Sequence, residues 1–82
     1  MEQVMMIKKN IQLSTVEVVK DFVNTVSAFD FEVDLFSGRY CVNGKSIMGI
    51  FSLDLSQPIR MEADISEGAA DKFLQAVEPF CI

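Results

Sequence analysis

Few residues of this 82-residue chain could do chemistry, because the sequence contains no histidine. Histidine is the side chain that most often serves as nucleophile, general base or metal ligand near neutral pH. The other candidates form no nucleophile–base pair and show no metal-ligand spacing, so we expect neither an enzyme nor a metal or cofactor site. Four carboxylates alternate along predicted strands and are interpreted as a solvated sheet face: Glu32, Asp34, Glu62 and Asp64.

Ser46 is the hydroxyl in the most informative position. It is predicted to cap a short helix over 46–53, with its oxygen accepting a hydrogen bond from a free backbone N–H. A phosphate there would bring about −1.5 to −2 charges to the positive end of the helix dipole, beside the cation of Lys45. From the residues alone, two interpretations stay open: a plain cap worth about 1 kcal/mol, or a site of modification.

The run after Ser46 is too apolar for all of it to be buried by one face of so short a helix. Some of its side chains must therefore face solvent, and exposed methionine and aromatic groups are well suited to contacts with a partner protein. The plainer alternative is an overfilled core. The run consists of Ile47, Met48, Gly49, Ile50 and Phe51.

Charge and hydropathy argue against several classes of function. The formal net charge of −5 at pH 7 disfavours binding to nucleic-acid backbone and to anionic membrane surfaces. No secretory signal and no apolar run of membrane-spanning length is visible, so a cytoplasmic location is expected. Cys41 and Cys81 show neither metal-ligand nor redox spacing and are interpreted as reduced thiols.

Hydrophobic patterning predicts one domain over residues 1–82, with the element order β-α-β-β-α-β-α. The clearest signal is in 59–65, where Ile59, Met61, Ala63 and Ile65 alternate with charged residues. Such alternation is typical of an antiparallel sheet with one wet face, and the helices must cover the other. The predicted strands are 3–8, 31–36, 39–42 and 59–65. A turn is predicted at 37–38, and a second one at 43–44, where both residues tolerate positive φ.

The first and last helices are predicted from capping signals and apolar stripes. Ser14 and Glu17 match a capping box at the start of a helix over 14–28, and Ser66 is the expected cap of a last helix that ends near Pro79. The predicted apolar stripe of the first helix is Val16, Val19, Phe22, Val23, Val26 and Phe29; that of the last is Ala70, Phe73, Leu74 and Val77.

Residues 45–53, Lys-Ser-Ile-Met-Gly-Ile-Phe-Ser-Leu, closely resemble the second-helix segment of HPr proteins, phosphocarriers of the bacterial sugar phosphotransferase system. Residues 27–30 are similar to the family's exit from helix one, and the element order matches along the chain. The resemblance implies an α+β, HPr-like open-faced β-sandwich: a four-stranded antiparallel sheet with three helices on one face.

The same resemblance places Thr15 where the family has the histidine that carries phosphate. Glu17 stands where the family has an arginine that pairs with the phosphoryl group, and its carboxylate would repel an anion. A threonine ester would be too stable to relay phosphate, whereas an imidazole gives a labile phosphoramidate. We therefore expect a degenerate phosphoacceptor site at Thr15 and Glu17.

For the second helix, the resemblance implies that Ser46 is a regulatory phosphorylation site and that Ile47, Met48 and Phe51 bind partner proteins. The expected partners are an HPr-type kinase, and a transcriptional regulator or phosphotransferase-system proteins. An alternative is an adaptor or competitor that docks with phosphotransferase-system proteins but cannot accept phosphate.

Overall fold

A four-stranded antiparallel sheet and three helices make up the computed structural model, which describes residues 3–82. The predicted element order and fold class are confirmed, with one added 3₁₀ turn at Glu78–Phe80. The strands are β1 (Val4–Ile11), β2 (Asp34–Ser37), β3 (Tyr40–Asn43) and β4 (Ile59–Ser66); the helices are α1 (Val16–Ser27), α2 (Ile47–Phe51) and α3 (Glu67–Val77).

The central strand β4 directs its apolar side chains to the helical side of the sheet. The strand order is β1-β4-β2-β3, and every neighbouring pair is antiparallel. The predicted alternation is confirmed: Arg60 and Asp64 are exposed and Glu62 is partly exposed on the open face. The inward-facing residues are all buried: Ile59, Met61, Ala63 and Ile65.

Strand β1 runs to Ile11, beyond its predicted end at residue 8, because tertiary contacts extend it. Ile11 is fully buried opposite Ile59 of β4. The end of the chain returns to the same place, where the Ile82 amide donates to the Asn10 carbonyl at 3.0 Å and the Gln12 amide donates to the Phe80 carbonyl at 2.9 Å. Contacts from the far end of the chain therefore decide where this strand stops.

The predicted N-cap of α1, Ser14, is wrong by one residue, and the capping box of Ser14 with Glu17 does not form. Thr15 is the N-cap, and its Oγ1 accepts a hydrogen bond from the Val18 amide at 3.1 Å. The residue three places after the cap is then Val18, whose side chain cannot return a hydrogen bond. The predicted apolar stripe also includes Val16, but that side chain is 55% exposed in the first turn of the helix.

The remaining helix boundaries differ little from expectation. α2 begins after Ser46 as predicted and ends at Phe51, two residues early. Ser66 is the N-cap of α3 by backbone conformation, although its side chain makes no capping hydrogen bond. The α3 helix ends at Val77, and Pro79 lies in the 3₁₀ turn that follows. No helix within residues 3–82 combines the length and apolar character that crossing a membrane requires.

Aromatic rings form the centre of the packing beneath α1 and α3. Phe73 of α3 is fully buried, and its ring centroid lies 5.3 Å from that of Phe29 and 5.2 Å from that of Phe31. Phe22 of α1 is also fully buried and meets the ring of Phe80 edge-on at 5.3 Å. These rings join both helices, the exit from α1 and the C-terminal turn into one core.

Replacing Phe73 by Ala should lower the free energy of unfolding by about 3–5 kcal/mol, because it opens a cavity beside two other rings. The matched control is Met48→Ala, which truncates a side chain that is 78% exposed and should change stability by less than about 0.5 kcal/mol. Urea unfolding followed by circular dichroism measures both. Similar losses for the two variants would contradict the described packing.

Thr15→Ala should cost about 1 kcal/mol of stability, because it removes the side-chain acceptor of the Val18 amide. Ser14→Ala should cost much less, since the structure assigns Ser14 no capping role. Thermal unfolding of the two single variants compares the two possible helix starts directly. A larger loss for Ser14→Ala would restore the capping box and reject Thr15 as the N-cap.

Candidate functional site

The turn before α2 is held together by the side chain of Asn43. Its Oδ1 accepts from the Lys45 amide at 2.8 Å, and its Nδ2 donates to Glu32 Oε2 at 2.8 Å. The Asn43 carbonyl accepts from the Ser46 amide at 3.0 Å. This asparagine therefore links the end of β3, the segment before β2 and the start of α2, and so places Ser46.

Gly44 serves this turn for a different reason from the one predicted. Its φ is not in the left-handed region, where Gly38 alone is found among residues 3–82, with φ of 59° in the β2–β3 hairpin. Instead, a Cβ at position 44 would lie 3.0 Å from Val33 Cγ1 and 3.1 Å from the Val33 carbonyl oxygen. The Gly44 amide donates to that same oxygen at 2.6 Å. Close approach to Val33, the residue before β2, is what favours glycine here.

Ser46 occupies the N-cap of α2, as predicted. Its backbone is extended, and its Oγ accepts a hydrogen bond from the Gly49 amide at 3.2 Å. The residue is exposed, so its hydroxyl is open to solvent. A Cβ on Gly49 would come within 3.2 Å of Ser46 Oγ and 3.3 Å of Val42 Cβ, so a small residue at position 49 preserves the cap.

Lys45 does not simply provide a mobile cation beside Ser46. Its Nζ donates a hydrogen bond of 2.7 Å to the carbonyl oxygen of Phe29, at the exit from α1, and the contact is partly buried. The side chain thus connects the start of α2 to the end of α1. The sequence indicated a positive charge at this place, but only the tertiary structure shows what it contacts.

The apolar residues of α2 divide between core and surface. Met48 is 78% exposed and Phe51 is 39% exposed, whereas Ile50 is fully buried. Ile47 is half-buried and packs against the core. Sequence reasoning missed the exposure of Val16 on the neighbouring helix α1. Its position in the first turn was the available signal, since a helix end is less fully covered than its middle.

The start of α1 brings together Thr15 and Glu17, both exposed. Thr15 Oγ1 is used as the acceptor of the cap, and Glu17 adds a negative charge to the first turn of the helix. The Glu17 side chain takes no part in a capping box, because Thr15 and not Ser14 provides the cap. Its charge still disfavours an anion at this helix start.

The other chemically capable groups lie apart. No set of three or more Cys, Asp or Glu side chains within residues 3–82 is arranged to hold a metal ion. Cys41 is an exposed free thiol on β3. Cys81 is half-buried near the C-terminus, where burial raises the pKa of its thiol.

Comparison with known protein families identifies the family of this chain. Residues 14–81 match the family model described as the phosphorylation site of the HPr component of the phosphotransferase system. This chain belongs to the HPr family. No curated protein sequence matches the chain at a significant level.

Solved structures of HPr proteins share its fold. The phosphocarrier protein HPr from Bacillus anthracis superposes with a TM-score of 0.69 at 26% identity, over 94% of this chain and 98% of that one. The HPr-C-His protein from Thermoanaerobacter tengcongensis gives a TM-score of 0.63 at 27% identity, over 94% of this chain and 88% of that one. Within this family, a sequence without histidine has no imidazole to carry phosphate.

We expect no acid-labile phosphate transfer from phosphoenolpyruvate to this protein through the general upstream enzyme of the system. Thr15→His alone should recover little transfer, because the Glu17 carboxylate still disfavours the anion. Adding Glu17→Arg to Thr15→His should recover more, since the arginine can pair with the phosphoryl group. Radiolabelled phosphate transfer with acid-stability analysis measures all three proteins; full recovery by Thr15→His alone would refute the electrostatic argument.

Proposed function

We propose that this chain is a regulatory member of the HPr family that acts by binding partner proteins and is controlled by phosphorylation of Ser46. In this proposal it works as one HPr-like domain in the cytoplasm, is not an enzyme and uses no cofactor. An HPr-type kinase would modify Ser46, and the partner would be a transcriptional regulator or a phosphotransferase-system protein. Neither nucleic acid nor a membrane surface is a proposed partner.

The contrast between the starts of α1 and α2 carries this proposal. At α1, the chain has Thr15, whose oxygen is used in the cap, and an exposed Glu17 that repels anions. At α2, the chain has an exposed capping Ser46 followed by exposed Met48 and Phe51. Both capping hydroxyls accept an amide hydrogen bond, but the first turn of α1 carries an acidic residue, whereas the first turn of α2 carries none and includes exposed apolar side chains.

The geometry around Ser46 is compatible with a phosphate. The cap uses the hydroxyl oxygen as an acceptor of the Gly49 amide and does not use its proton. A phosphoester at this oxygen would carry three further acceptor oxygens beside the backbone N–H groups of the first turn. We therefore expect phosphorylation to leave α2 folded and to change the affinity for a partner.

A second candidate is the adaptor or competitor that docks with phosphotransferase-system proteins but accepts no phosphate. The exposure of Val16 and Met48, on two neighbouring helices, favours it, because a docking surface can be kept when the acceptor is absent. In that case Ser46 is only a helix cap. The two candidates share the surface and differ in whether modification of Ser46 matters.

An HPr-type kinase should phosphorylate the protein on Ser46, and Ser46→Ala should abolish the modification. Ser52→Ala is the matched control, since Ser52 is another exposed serine at the opposite end of α2 and its hydroxyl donates to the Gly49 carbonyl. Phosphopeptide mass spectrometry identifies the modified residue. If no kinase modifies Ser46 and Ser46→Ala leaves partner binding unchanged, the switch is rejected and the adaptor remains.

The apolar surface is tested separately with Met48→Asp. A charge at this position should weaken partner binding in both phosphorylation states, because it lies in an apolar contact. Unchanged binding by this variant would exclude α2 as the interface for either candidate.

A further inference from the structure

We propose that two copies of this chain associate edge to edge through β1, which joins their two sheets into one continuous sheet. The inference does not rest on the proposed function. In each copy α2 contacts β3, which is the other edge of the sheet, so the association leaves Ser46 in solvent.

The edge strand β1 is long and carries apolar side chains in solvent. It has eight residues, whereas β3 at the other edge has four. Val4 is 65% exposed, Met6 is 51% exposed and Met5 is 42% exposed. A long apolar edge is a template for another strand unless it is covered, shortened or charged. Lys8 and Lys9 place charge only on the later part of β1, so its apolar part is unprotected.

The backbone polar groups of β1 point outward at alternate residues. Asn10 directs its carbonyl away from β4, because that oxygen accepts from the Ile82 amide at 3.0 Å. In an antiparallel strand, the N–H and C=O groups of every second residue point to the same side. The C-terminal segment covers this edge only at its end, and no other segment of residues 3–82 pairs with it. The residues left with outward, open backbone groups are Val4, Met6 and Lys8.

A second copy of β1 fits this edge in an antiparallel register centred on Met6. Met6 then lies opposite Met6 of the second copy, and Val4 of each copy lies opposite Lys8 of the other. All of these residues direct their backbone groups outward, so each pair exchanges two hydrogen bonds. The paired stretch ends before Asn10, whose carbonyl is already occupied by the Ile82 amide. The contact is two-fold symmetric and therefore closes at a dimer.

The side chains are also complementary in this register. Val4, Met6 and Lys8 share the open face of the sheet with Glu62 and Asp64 of β4, so the apolar side chains of the two copies meet there. The Lys8 side chains of the two copies lie about 13 Å apart along the strands, which exceeds the screening length of about 8 Å at physiological salt. This match of the strand with itself is the reason to assign a second copy and not an unrelated strand.

The association is expected to be weak, because one strand pair buries less surface than a stable protein interface. We expect a dissociation constant of about 10–100 μM. Sedimentation velocity measured from about 5 μM to about 1 mM protein should follow the change from monomer to dimer.

Amide hydrogen exchange identifies the strand and the side of it that pairs. At high protein concentration, exchange should slow several-fold at Val4, Met6 and Lys8, whose amides point outward. The amides of Met5 and Ile7 point to β4 and should exchange at the same rate at high and low concentration.

Met6→Lys should weaken the association at least about tenfold, because the two-fold axis places the two new charges directly opposite each other. Tyr40→Lys is the matched control, since Tyr40 is 69% exposed on the other edge strand, β3. This control should leave the association intact. Amide spectra of both variants verify that they are folded.

Cross-linking tests the register in a chain that also carries Cys41→Ser and Cys81→Ser. Under a mild oxidant, Met6→Cys should form a disulfide between the two copies, because paired Cα atoms lie about 5.5 Å apart. Val4→Cys should not, since its two copies lie about 13 Å apart along the strands.

A chain that stays monomeric across the whole concentration range would overturn the inference, even if a foreign extended peptide slowed the same amides. Loss of association in Tyr40→Lys, with Met6→Lys unaffected, would place the contact at β3 and also reject it. Equal cross-linking of Met6→Cys and Val4→Cys would reject the register centred on Met6.

Discussion

The pleat of β4 is the constraint on which the rest of the structure depends. This strand pairs with β1 along its whole length and with β2 along its first half, and its alternate side chains are buried under the helices. A shift of one residue in its register would move all of those side chains into water. The helices must therefore gather on one side of the sheet, where Phe22 and Phe73 fill the space above the strands.

Gathering the helices on one side also determines which residues remain available for function. α1 and α3 each bury one stripe, and the short α2 buries Ile50 while Met48 stays in solvent. The hydrogen bonds of Asn43, the close approach of Gly44 to Val33 and the contact of Lys45 with Phe29 then hold α2 in one orientation. These contacts fix the position of α2 relative to α1 and the sheet, and so determine which of its side chains face solvent.

Membership of the HPr family does not by itself establish phosphate transfer by this chain. A fold can keep its packing while individual site residues change, since the core and the site depend on different side chains. Here the core is complete, and the start of α1 carries a capping threonine and a glutamate. On the neighbouring α2, the exposed side chains of Met48 and Phe51 likewise belong to this sequence and are not required by the fold.

Periodicity in the sequence by itself determined the element order, the inward residues of β4 and the cap at Ser46, because these follow from local rules of pleat, helix pitch and hydrogen bonding. The absence of histidine, and with it of any imidazole, is likewise read from the sequence without any structure. Tertiary structure alone decided the cap at Thr15, the exposure of Val16, the extension of β1 to Ile11 and the contact of Lys45 with Phe29. The last two depend on residues distant in the chain. The first two depend on where packing leaves a helix end uncovered, which the position of Val16 in the first turn suggests but does not determine.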